Sequence, residues 1–115
     1  MAPSTFDWVQ DYPAAISVCD TEGTIIALNR RAAENFHRDG GERLVGTSLF
    51  ACHPEAANII IRRLLAEHTA NTYVVEKHGL RKLVHQAPWY RDGVFAGLTE
   101  TIIELPADIP THCRD

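Results

Sequence analysis

Ala15-Ile16-Ser17-Val18-Cys19-Asp20-Thr21-Glu22-Gly23-Thr24-Ile25-Ile26-Ala27-Leu28-Asn29 is the stretch that decides the fold. Residues 15–19 and 24–28 are two runs rich in β-branched and apolar side chains, and the link 20–23 opens on Asp and closes on Gly. Asp accepts hydrogen bonds from the backbone of its own turn, and Gly takes positive φ without strain, so an antiparallel hairpin is predicted. Asn29 then stands where a helix needs a side-chain acceptor, ahead of Arg30-Arg31-Ala32-Ala33-Glu34-Asn35-Phe36-His37, and Asp39-Gly40-Gly41 stops that helix. Its apolar stripe is short: Ala32, Ala33 and Phe36.

Downstream, Leu44-Val45-Gly46-Thr47-Ser48-Leu49-Phe50 is a short irregular piece leading to His53-Pro54, with Pro54 expected at the first position of the longest helix, 55–68. Ala57, Ile60, Ile61, Leu64 and His68 share one helical face, and Arg62, Arg63 and Glu67 share the other. Three strand-like runs follow at 71–76, 81–90 and 94–105, joined by Lys77-His78-Gly79 and Arg91-Asp92-Gly93. Two strands, helices, then three strands make an α+β fold: a five-stranded antiparallel sheet with helices on one face. Upstream, Phe6, Trp8, Val9 and Tyr12 form a short amphipathic segment before Pro13. The chain therefore divides into a flanking segment 1–13, a domain 14–105 and a tail 106–115 that follows neither period.

With 115 residues, 11 Lys and Arg against 15 Asp and Glu, and 45% hydrophobic residues, the chain has the composition of one soluble globular domain. No basic run exceeds the pairs Arg30-Arg31 and Arg62-Arg63, so nucleic acid is not expected as a direct partner. The N-terminus lacks a basic region followed by an apolar one, and no apolar run approaches the length of a membrane span, so a cytoplasmic protein without a membrane partner is expected. Cys19, Cys52 and Cys113 are odd in number and contain no Cys-x-x-Cys pair, which argues against a disulfide framework and a metal site.

The first hairpin with its Asp, Gly and Asn, the 44–50 segment, His53-Pro54, Gln86-Ala87-Pro88, Asp92-Gly93 and Gly97 together resemble the PAS (Per-Arnt-Sim) sensory domain family over residues 12–105. That resemblance implies the PAS fold with strand order 2-1-5-4-3, a cavity between sheet and helices, signal sensing without catalysis, and dimerisation through the outer sheet face. The chain is then either a stand-alone regulator or part of a larger sensor, with an output domain or partner protein outside this chain. The flavin photosensor branch carries its reactive Cys where Leu49 stands here, which disfavours flavin. Cys52 and His53 are adjacent, so their side chains diverge and do not share a metal. His68 faces the core by spacing, as an axial ligand does in haem-binding members; a histidine favoured by the helix dipole is the simpler account, and haem is disfavoured too. The cofactor stays unknown, with a small-molecule ligand expected.

Counting outward from the turns, alternation puts Ser17, Cys19, Thr72, Val74, Val84, Gln86, Phe95, Thr99 and Thr101 on one sheet face. The opposite face receives Ile16, Val18, Tyr73, Val75, Leu83, His85, Trp89, Leu98 and Ile102, and Glu100 and Glu104 point outward by the same count. The resemblance at Gln86-Ala87-Pro88 turns the first set toward the helices. Ser17, Cys19, Thr72, Val74, Val84, Gln86, Phe95 and Thr99 are thus the expected ligand-binding wall, apolar with a few hydrogen-bonding groups. Cys19 reads as a small hydrophobe there, since no base neighbours it. The second set is too apolar to leave wet, so Phe6, Trp8, Val9, Ile16, Val18, Tyr73, Val75, Leu83, Trp89, Leu98 and Ile102 are the expected homodimer interface. The expected function is a sensor domain that binds a small molecule or partner. The alternative is a small α+β pocket enzyme using His53 or His85 as base, which needs a carboxylate in the pocket.

Overall fold

A computed structural model describes residues 7–115, the Cys52 side chain excepted; Phe6, expected in a dimer interface, lies outside the described residues. Strands β1 (Ala15–Cys19), β2 (Ile25–Leu28), β3 (Asn71–Lys77), β4 (Leu80–Arg91) and β5 (Val94–Leu105) form one antiparallel sheet in the order β2-β1-β5-β4-β3. Between β2 and β3 come helix α1 (Arg30–Asn35), three 3-10 turns at His37–Asp39, Gly41–Leu44 and Leu49–Cys52, and helix α2 (Glu55–Glu67). The core joins sheet to helix: Cys19 and Leu98 pack on Ile61 and Leu64 of α2, with Leu49, Phe50 and Leu65 around them. This is the α+β architecture the sequence predicts and the strand order the PAS resemblance implies.

Local chemistry builds the first hairpin and its exit. Asp20 Oδ1 accepts from the backbone N–H of Glu22 and of Thr24, both at 2.9 Å. Asn29, only 3% exposed, does more than cap α1. Its Oδ1 accepts from Ala32 N and Ile16 N, each at 3.0 Å, while Nδ2 donates to Ala14 O at 2.8 Å and Val9 O at 3.0 Å. One amide thus ties the flanking segment, β1 and α1 together. That segment is a turn rather than a helix, held by Arg30 N donating to Gln10 O at 3.1 Å and by the exposed Arg30–Asp11 pair at 2.7 Å. Trp8 and Tyr12 meet edge to face at 5.3 Å and stay largely in solvent.

Helix α2 turns Ile61 and Leu64 inward, as its spacing predicts, but Ile60, expected on the same face, is 41% exposed and Asn58 is buried instead, its Nδ2 donating to Phe50 O at 2.9 Å. Its ends differ from expectation by one residue. Pro54 is the N-cap, its carbonyl accepting from Ala57 N and Asn58 N at 3.0 Å, and His68 is a left-handed C-cap with φ 57°.

The larger difference is the register of β3 and β5. His78 and Gly79 (φ 53° and 79°) and Asp92 and Gly93 (φ 51° and 80°) form tight turns with two positive-φ residues each, closing on the pairs Lys77↔Leu80 and Arg91↔Val94. Lys77 therefore belongs to β3 and not to the turn, which pairs Tyr73 with Val84 and Thr72 with His85. In the last hairpin a bulge between Trp89 and Tyr90 shifts the pairing again, so Val84 meets Ile102 and Gln86 meets Glu100. A slip of one residue sends every side chain of a strand to the other face. Tyr73, Val75, Leu98, Glu100 and Ile102 consequently lie on the helix side, and Thr72, Val74, Thr99 and Thr101 on the outer side, each opposite to expectation. Glu104 turns to the helix side with them. Ser17, Cys19, Val84 and Gln86 are on the helix side, and Ile16, Val18, Leu83, His85 and Trp89 on the outer side.

Candidate functional site

The true register lines up Asn71, Gln86, Glu100, Ser17 and Leu28 across β3, β4, β5, β1 and β2 on the helix side. Asn71 Nδ2 donates to Gln86 Oε1 at 3.2 Å, and Gln86 Nε2 donates to Glu100 Oε2 at 2.8 Å. An ionised carboxylate only accepts, so Glu100 sets the direction of the whole row and the orientation of the Gln86 amide.

Two adjoining chambers open along this row. The inner one, about 120 Å³, lies under α1 and the 3-10 turns, with Cys19, Ile25, Leu28, Phe36, Leu44 and Leu98 as its apolar wall. The outer one, about 360 Å³, is a cleft beside α2 that adds Ala57, Ile60, Asn71 and Tyr73. His53, Ile61, Gln86 and Glu100 line both and form the partition between them. His53 Nδ1 lies 2.7 Å from Leu49 O, which makes Nδ1 the protonated, donating nitrogen and holds the ring at the start of α2.

Charge in the site is one-sided. Glu100 and the exposed Asp39 line the inner chamber, and among the described residues no Lys or Arg lines either chamber. Burial pushes the Cys19 thiol above its ordinary range; a hydrogen bond with the Leu98 backbone opposes this, and the charges of Asp20 and Glu100 add to it. Cys19 is therefore a protonated, unreactive part of the wall. Burial and then Glu100 push the Tyr73 phenol up as well. One carboxylate thus acts on both chambers.

Of the residues expected to bind ligand, the structure brings Ser17, Cys19, Gln86 and Thr99 to the inner chamber. Thr99 borders it while its hydroxyl donates to Ala87 O at 3.2 Å. Val84 shares the face but is packed in the core at 4% exposure. Thr72 and Val74 are on the outer face, where Thr72 Oγ1 meets His85 Nδ1 at 2.7 Å. Phe95 stacks on His68 at 3.6 Å, and neither ring lines a chamber, so His68 is not placed as an axial haem ligand. His85, exposed on the outer face, is likewise no base for a reaction in the cavity, whereas His53 is on its lining.

Glu100, Asp39, Asn71 and Tyr73 escaped the sequence reading. The signal for Glu100 was Gly97. A Cβ there would collide with Cys19 O, and its φ is 139°, so the strand passes its neighbour closely at that point. Trp89 pairs with Gly97 and donates Nε1–H to the same Cys19 carbonyl at 3.0 Å. A glycine inside a strand marks such an approach or a bulge, and the bulge is what turns Glu100 inward.

Among the described residues, no group of three or more His, Cys, Asp or Glu is placed to hold a metal, and no helix is long and apolar enough to cross a membrane. The model of the PAS fold family matches residues 9–93. No curated protein matches the chain. Among solved structures, VqmA of Vibrio cholerae, described as a dimer and a LuxR-type receptor, is similar at TM-score 0.67 and 15% identity, over 90% of this chain and 54% of that one. The PAS domain of BvgS from Bordetella pertussis is similar at TM-score 0.61 and 18% identity, over 85% and 81%. The Aer2 receptor of Vibrio cholerae, described as a dual PAS-haem oxygen sensor, is similar at TM-score 0.60 and 16% identity, over 81% and 95%.

Proposed function

The chain belongs to the PAS family, and from that premise we propose that it is a sensor module binding a small molecule between sheet and helices and relaying occupancy as a homodimer, without turning the ligand over. The observation that carries the ligand reading is the Asn71–Gln86–Glu100 row set in apolar walls. Ligand sites combine an apolar lining with a few oriented polar groups in this way. Drug-sized ligands occupy roughly 300–1,000 Å³, so an inner chamber of about 120 Å³ suits a ring-sized body whose remainder reaches the outer cleft.

The outer sheet face supports the dimer. Ile16, Val18, Leu83 and Trp89 are half-buried there, and Val74 and Ile103 are 44% and 42% exposed. The whole chain exposes 8376 Å², against about 6,300 Å² for a compact monomer of its mass. The exposed tail 106–115 contributes to the excess, and so do Val74 and Ile103 on this face. A two-fold pairing would bury the same patch on both copies. Tyr73, Val75, Leu98 and Ile102 leave the expected interface because they lie on the helix side, and Val74 and Ile103 join it.

Thermal melts of the purified chain with millimolar benzylamine, benzyl alcohol and benzoate test the ligand reading. At least one is expected to raise Tm and to be recovered unchanged. Three inert solutes would overturn the ligand reading. An altered solute would favour catalysis by His53 with Glu100, which line one cavity.

A further inference from the structure

Resting on that ligand reading, we infer that the site selects a small organic cation: a primary amine or amidine on a ring-sized apolar body, with its charged head at Glu100. The inner chamber is mostly apolar, with Ser17, His53, Gln86 and Thr99 as its neutral polar lining; its carboxylates are Glu100 and Asp39, and among the described residues no Lys or Arg lines it to balance them. The outer cleft repeats the pattern, its one carboxylate being Glu100 again. An anionic ligand would bring a second negative charge against Glu100 with no guanidinium or ammonium to receive it.

Hydrogen bonding points the same way. Gln86 already donates to Glu100 and accepts from Asn71, which fixes its orientation and leaves one N–H and one lone pair, neither of them charged. Glu100 accepts that bond at Oε2, and among the described residues its Oε1 has no hydrogen-bond partner. Glu100 is also half-buried on the partition that both chambers share. The charged capacity left for a ligand at that point is therefore an acceptor, the Glu100 carboxylate, which a multi-donor cation fills best. A ring fits the space: an engineered apolar cavity of roughly 150 Å³ takes up benzene, and the inner chamber is about 120 Å³ with the cleft continuing beyond Glu100.

The test is a calorimetric titration of the full chain near pH 7 with benzylamine, benzyl alcohol and benzoate, which share a ring and differ in charge. Benzylamine is expected to bind at least about tenfold more tightly than benzyl alcohol, the size of a charge-assisted over a neutral hydrogen bond, with benzoate weakest. Glu100→Gln should remove the amine's advantage and leave benzyl alcohol binding as it was. Equal affinity for amine and alcohol, or tighter binding of benzoate, overturns the cation inference while the ligand reading stands. Binding by none of the three overturns both. The series on the unaltered chain decides the matter even where Glu100→Gln fails to fold, and Asp39→Asn, at an exposed position, should reduce the amine's advantage by a smaller factor.

Discussion

Asn29 and Glu100 are both polar side chains carried between the sheet and the helices, and they do opposite work. At the β1 end, Asn29 is 3% exposed and its two donors and two acceptor sites meet four backbone groups. Toward the β3 end, Glu100 is half-buried, takes one hydrogen bond from Gln86, and borders open space on two sides. A buried polar group with all its capacity satisfied specifies a fold; one with capacity left over beside a cavity specifies what enters it. The same division runs through the packing. Trp89, Gly97 and Cys19 close tightly over β1 and β5, while Tyr73 and Val75 on the helix side of β3 stay 42% and 38% exposed.

Substitutions in the closed half should be the most damaging. Gly97→Ala puts a methyl into the Cys19 carbonyl at a positive φ, so we expect a loss of about 3–5 kcal/mol in urea unfolding. A loss under 1 kcal/mol would mean that the strands separate there without cost. Next, Asn29→Ala strips a cap and leaves buried backbone groups unpaired, for about 3 kcal/mol. Asn29→Asp keeps the acceptor for Ala32 and Ile16 but sets a buried carboxylate oxygen against the Val9 and Ala14 carbonyls, so it should cost at least as much as Asn29→Ala. A much smaller loss would show that the cap alone matters.

The outer face should respond in association rather than in folding. Val74→Asp is expected to leave only monomer in sedimentation where the unaltered chain, on the proposed reading, is a dimer. Leu98→Lys, once placed on that face by parity, should instead unfold the chain, because Leu98 packs on α2 at 7% exposure. The smallest effect belongs to Tyr73. Its folded-state pKa lies above the ordinary value, from burial and then from Glu100. Above about pH 10 the unfolded chain releases that proton first, so the folded state binds more protons and stability falls as pH rises toward the folded pKa. Tyr73→Phe should flatten that decline in melts between pH 9 and 11. An unchanged slope would remove Tyr73 from the account.

What could be read from the sequence divides along the same line. The first hairpin and the α1 cap were legible because Asp20 and Asn29 act on backbone within a few residues, and such bonds depend on local spacing. The inner apolar face of α2 was legible from its period. The faces of β3 and β5 were not. Lys77-His78-Gly79 serves equally as a turn of three residues or as a strand end before a turn of two, and Thr99-Glu100-Thr101 has no apolar alternation to mark its buried side. The deciding bulge beside Trp89 is reinforced by a bond from that side chain to Cys19 O, 70 residues away in sequence. No local pattern carries information over that distance, so the carboxylate of the candidate site was assigned to the wrong face.

The direct test of the central claim, that the ligand site is the Glu100 side of the sheet, is a two-dimensional NMR titration of the isotopically labelled chain with benzylamine. Resonances of Cys19, Gln86, Leu98 and Glu100 should shift in a saturable way, while Val74, Leu83 and Ile103 on the outer face should hold still. Saturable shifts on the outer face with a silent Glu100 would contradict it.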